Sequence, residues 1–114
     1  MKVIKPFIER IHPVGDGIQK LYRFKNNWGA SVVRYYIRTR SFLRPTKNGY
    51  EYASYTRNEK EWELAVIKWE GKGENDLKLN YDNEVAKSGV NGVIGYLTDD
   101  KVEKLLIKIK NFKS

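Results

Sequence analysis

The sequence predicts an α+β fold, an antiparallel sheet of four to five strands with one C-terminal amphipathic helix packed on it. Three observations carry this prediction. Runs of β-branched and aromatic residues separated by Asn, Gly and Pro fill residues 18–81. Residues 99–112 switch to apolar spacing of three and four. The length, 114 residues, suits one hydrophobic core, so residues 1–114 are read as a single domain. With 40% hydrophobic and 13% aromatic residues, the chain carries far more apolar mass than a disordered one, although 32% is charged.

Ile18 to Lys25 and Ala30 to Arg38 flank Asn26-Asn27-Trp28-Gly29, and Asn and Gly tolerate the positive φ of tight connections. A β-hairpin is expected. Alternation in its second arm puts Val33, Tyr35 and Ile37 on one face, read as core, and Arg34, Tyr36, Arg38 and Arg40 on the other, read as cationic and aromatic. Pro45 and Asn48-Gly49 make Ser41 to Gly49 a break and turn, after which Tyr50 to Thr56 resumes strand character. Glu61 to Glu70 is expected to be a central strand covered on both sides. Trp62, Leu64 and Val66 fall on one face, Ala65, Ile67 and Trp69 on the other, and Trp62 and Trp69 are assigned to the core. Gly71 to Asn75 is a loop leading to Asp76 to Tyr81, the return arm of a second hairpin.

Three glycines make Ser88 to Gly95 a loop. Thr98 is the expected N-cap, Asp99 and Asp100 complement the helix dipole, and Val102, Leu105, Leu106, Ile109 and Phe112 form the apolar stripe. Val3 to Ile11 is an expected additional strand, confined by Pro6 to an edge or bulge.

The charge is unevenly placed. Between Gly17 and Tyr50 there is no acidic residue, while Lys20, Arg23, Lys25, Arg34, Arg38, Arg40, Arg44 and Lys47 supply eight basic ones. The 22 Lys and Arg less these eight leave 14, equal to the 14 Asp and Glu, so this segment carries the whole net charge of +8. A localised excess attracts polyanions or an acidic protein face.

Several chemistries are excluded or weakly supported. Without cysteine there is no disulfide framework, thiolate metal site or Cys nucleophile, and a single histidine, His12, rules out a multi-His metal centre. His12 beside Pro13 reads as a loop or strand-end residue rather than a general base, since no partner orients it. Glu59, Glu61 and Glu63 could in principle hold Mg²⁺, but a solvated strand edge accounts for them more simply. Gly71-Lys72-Gly73 lacks the phosphate-loop spacing and reads as a hairpin turn. No enzyme, cofactor or metal is expected. The longest apolar uncharged run, Ser88 to Leu97, is too short to span a bilayer, and Met1 to Pro6 lacks the apolar stretch of a signal peptide, so a cytoplasmic protein with no membrane partner is expected.

Two binding readings remain. Lys20, Arg23, Lys25, Arg34, Tyr36, Arg38, Arg40, Arg44 and Lys47 could form a cationic, aromatic platform for nucleic acid, where Lys and Arg neutralise phosphates and aromatic rings stack on unpaired bases. Trp28 either folds back onto the sheet or serves as an exposed anchor for a partner. The alternative is an inhibitor docked on an acidic host protein, such as a defence factor or nucleic-acid enzyme.

Leu21-Tyr22-Arg23-Phe24 followed by Asn27-Trp28-Gly29-Ala30-Ser31-Val32-Val33, then Trp62-Glu63-Leu64-Ala65-Val66, then Val93-Ile94-Gly95-Tyr96-Leu97-Thr98-Asp99-Asp100-Lys101-Val102, form a series running through most of the chain. The series resembles small uncharacterised bacteriophage proteins of unknown function. Asn27-Trp28 stands where that pattern has Asn-Gly followed by Tyr or Phe, which implies a less tight turn. The resemblance supplies no catalytic residue. It implies a phage accessory protein acting in the host cell cytoplasm.

Overall fold

The computed structural model describes residues 4–11, 16–38, 50–52, 54–57 and 60–113. Its seven strands form one antiparallel sheet: β1 Ile8–Ile11, β2 Asp16–Arg23, β3 Trp28–Arg38, β4 Tyr50–Tyr52, β5 Trp62–Trp69, β6 Leu77–Leu79 and β7 Val93–Leu97. Two helices complete it, α1 Glu84–Lys87 and α2 Asp99–Lys110. The expected α+β class is observed. The sheet is five strands wide along the path β1-β2-β3-β5-β6, with β4 beside the far half of β3 and β7 beside the near half of β5. No helix among the described residues is long and apolar enough to cross a membrane.

The hairpin β2–β3 closes on a three-residue loop in which Phe24 and Trp28 pair, Asn27 N–H donates to the Phe24 carbonyl and Asn27 holds φ 66°. Asn is among the few residues that take this conformation cheaply, so Trp28 starts the next strand rather than occupying the turn tip. Asn26 has a second task. Its side-chain amide donates to the carbonyls of Ile109, Lys110 and Phe112 at 3.2, 3.2 and 2.9 Å, tying the turn to the end of α2 and the residues just after it.

The main core lies between the sheet and α2. Trp28, Ala30 and Val32 of β3 and Trp62, Leu64 and Val66 of β5 face Val102, Leu106 and Ile109, with Leu105 and Phe112 at the margin. A smaller cluster of Leu21, Ile67 and Trp69, flanked by Ile8 and Leu77, lies on the opposite face. Strand β5 is therefore buried on both sides, as its pattern predicts. Gly29 is required by a close approach, because the Trp69 indole crosses it to donate to the Tyr22 carbonyl at 2.9 Å and any Cβ there would collide with both.

Three expectations need correction. The helix-covered face of β3 is the one bearing Trp28, Ala30 and Val32, with Val33 also buried from the other side, so β3 does not divide into a core face and a free cationic face. Ser88 to Gly95 is not all loop: Asn91 and Gly92, both at positive φ, close a two-residue turn between Val90 and Val93, and β7 follows. Within the expected strand Tyr50 to Thr56, Tyr50–Tyr52 is strand and the described residues Ser54 to Thr56 are irregular. Thr98 occupies the N-cap of α2 as expected, without a capping bond from its side chain. The short α1, capped by Asn83 accepting from Ala86 N–H at 2.7 Å, is an element the spacing does not announce.

Candidate nucleic-acid interface

Three cations of the β2–β3 hairpin lie against aromatic rings. On the helix side, adjacent strands bring Lys20 and Arg34 to the same ring: Lys20 Nζ is 4.4 Å and Arg34 Cζ 4.1 Å from the Trp62 centroid. Arg34 also reaches the Glu61 carbonyl at 3.5 Å. On the opposite side, Arg23 Cζ lies 5.2 Å from Trp69 and 5.8 Å from Phe7, two rings in edge contact at 5.4 Å. Lys25 is exposed in the turn. Stacked guanidinium and ammonium groups keep their charge while losing little further freedom when an anion arrives.

The expected residues are thus split between two faces. Lys20 and Arg34 come together, Arg23 does not join them, and Tyr36 and Arg38 are known by backbone position in β3, beside Asp16 and Tyr50 respectively. Arg40, Arg44 and Lys47 lie outside the described residues, as do His12 and Glu59. Trp28 is 9% exposed, packed edge-on against Phe112 at 5.1 Å, so it is core and not a partner anchor. Strand pairing puts Lys68 opposite it, with Nζ 4.6 Å from the Trp28 ring. Lys68 is a cation that sequence reasoning misses, since only the β3–β5 register places it beside the hairpin.

The tertiary fold also returns acid to the acid-free segment. The N-terminal half of α2 sets Asp99, Asp100 and Glu103 around a cavity of about 310 Å³ shared with Lys20, Tyr22 and Trp62. Asp99 Oδ1 accepts from Trp62 Nε1 at 2.8 Å. Burial pushes the Tyr22 hydroxyl above its ordinary pKa, and the Glu9 and Asp99 carboxylates add to the shift. This corner is mixed in charge.

Of the carboxylates considered for Mg²⁺, Glu61 and Glu63 are committed elsewhere. Glu61, 5% exposed, takes the Arg57 guanidinium and backbone N–H, and Glu63 accepts from Tyr55 N–H at 3.1 Å. Hydrogen bonding to Arg57 holds the Glu61 carboxyl below the usual range. No cluster of three potential metal ligands exists among the described residues.

No protein-family model, curated protein sequence or solved structure matches this chain.

Proposed function

We propose that the protein is a non-enzymatic module that binds nucleic acid through phosphate contacts from the β2–β3 hairpin and its flanks. The observation that carries this is the conjunction of the whole +8 net charge in residues 17–50 with Lys20, Arg23 and Arg34 each held over an aromatic ring. Such contacts position a backbone without reading sequence, because phosphates are the same at every base pair. The resemblance to small phage proteins supports an accessory role in a host cytoplasm.

Affinity for an oligonucleotide, followed from low to moderate salt, tests the reading. Log K should fall linearly with log salt, and Arg23→Gln and Lys25→Gln should each reduce the slope by about one contact. A flat dependence, or variants with the wild-type slope, overturns it.

One observation favours a second reading. The carboxylates beside Lys20 give that corner the alternating charge of a protein-binding surface, which suits an inhibitor of a host protein. Pull-down from bacterial lysate with and without nuclease separates the two, because a stoichiometric protein retained after nuclease supports the inhibitor.

A further inference from the structure

Strand β7 carries an irregularity that faces solvent. Pairing with β5 passes from Leu64↔Ile94 to Trp62↔Leu97, so Gly95 and Tyr96 together oppose Glu63. This is a β-bulge, a device that re-aims a side chain. Tyr96 holds φ 57°, a conformation rare for an aromatic residue, and its ring is 49% exposed. Beside it stands Tyr55, 42% exposed, with ring centroids 6.5 Å apart and planes 31° apart.

The pair is held in place from beneath. Tyr96 N–H donates to the Tyr55 carbonyl at 2.8 Å, and Tyr55 N–H donates to Glu63. The neighbouring Ser54 and Thr56 are buried and share a 2.9 Å hydroxyl contact. Gly95 has room only for hydrogen, since a Cβ would meet that of Tyr55. Arg57, fixed by two bonds from Nε to Glu61, places its guanidinium 5.1 Å from the Tyr96 ring. Lys101 is exposed and close enough to act on Glu61. The bulge thus leaves the Tyr96 ring on the solvent side, next to that of Tyr55.

We infer that Tyr55 and Tyr96, with Arg57 stacked on the latter, form a platform on which unpaired bases stack, so that the protein prefers single-stranded nucleic acid to duplex. The inference rests on the nucleic-acid reading above and adds the strand type and the residues that decide it. Every base offers a π-face, so such stacking is independent of sequence, and the surrounding cations suit the flanking phosphates. A proline-rich peptide also docks on exposed aromatics, but it brings no anionic backbone to meet Arg57 and Lys101.

The test uses the full chain with a fluorescent oligothymidylate, a duplex of equal length and a polyproline peptide. The wild type should bind the single strand more tightly than the duplex. Tyr55→Ala and Tyr96→Gly, each shown to be folded by circular dichroism, should weaken single-strand binding roughly 5- to 150-fold. Tyr96→Phe should bind as wild type, and none of the three should change the salt slope, because a stack carries no charge. Salt-dependent binding without single-strand preference, or undiminished in Tyr96→Gly, overturns the platform while leaving the hairpin reading intact. Absence of nucleic-acid binding overturns both. Polyproline binding that is lost in Tyr96→Gly, with nucleic-acid binding unaffected, replaces the platform by a peptide site.

Discussion

Glu63 sits beneath the Tyr55 backbone, where burial pushes its carboxyl above the ordinary range and the Tyr55 N–H only partly offsets the shift. A carboxyl whose folded pKa lies above its unfolded value binds its proton more tightly in the native state. Its ionisation therefore opposes folding, an effect absent below about pH 4.3 and complete once pH exceeds the folded value. Glu63→Gln keeps an acceptor for Tyr55 and removes the charge, so its stability relative to wild type should rise between about pH 4 and pH 7. Urea midpoints measured across that range check this, and a constant difference would contradict it. Glu61 has the opposite sign. Its lowered pKa contributes stability above the ordinary carboxylate value that is lost as pH falls through the folded one. Tyr96 supplies a second residue-scale outcome. Glycine tolerates φ 57° and alanine does not, so Tyr96→Gly should be more stable than Tyr96→Ala by about 1 kcal/mol in chemical denaturation. Nothing in sequence alone marks Tyr96, because its conformation arises from a bulge in pairing.

Among the elements, α2 is the most legible from sequence. Its stripe of Val102, Leu106 and Ile109 is buried as the spacing predicts, while Leu105 is only half-buried at the margin. Leu106→Ala should therefore cost about 2–5 kcal/mol and Leu105→Ala distinctly less, read as shifts in denaturation midpoint. A Leu106→Ala midpoint equal to that of the wild type would mean that α2 stands away from the sheet. The end of α2 depends on a residue distant in sequence. Asn26→Ala should cost about 1–2 kcal/mol, since three terminal carbonyls lose their shared donor, and a neutral result would show that water replaces it. Strand β7 carried a readable signal in Asn91-Gly92 between two valines, a pattern that favours a two-residue hairpin turn. The three glycines of that stretch argue for loop only when read without this dipeptide.

At the scale of the whole molecule, the two clusters are tied together by shared strands. Leu21 and Tyr22 of β2 point to opposite sides, as do Val66 and Ile67 of β5, so neither side can loosen without the other. Trp28 and Trp62 report on the helix side and Trp69 on the other. Tryptophan fluorescence and far-UV circular dichroism should thus trace one coincident urea transition, and separated transitions would show that the helix layer melts alone. Local patterns of apolar and turn-forming residues, acting over a few neighbours, determined the fold class, the central hairpin, the two-sided β5 and the stripe of α2. The concentration of positive charge in residues 17–50 was equally a property of the chain. Tertiary structure alone decided which side of β3 lies under α2, that Trp28 is buried, that Asp99, Asp100 and Glu103 stand beside Lys20, and that Tyr55 meets Tyr96. Each of these depends on strand register and on contacts between residues far apart in sequence, where period-two alternation is symmetric between faces and charge counted along the chain does not describe charge in space.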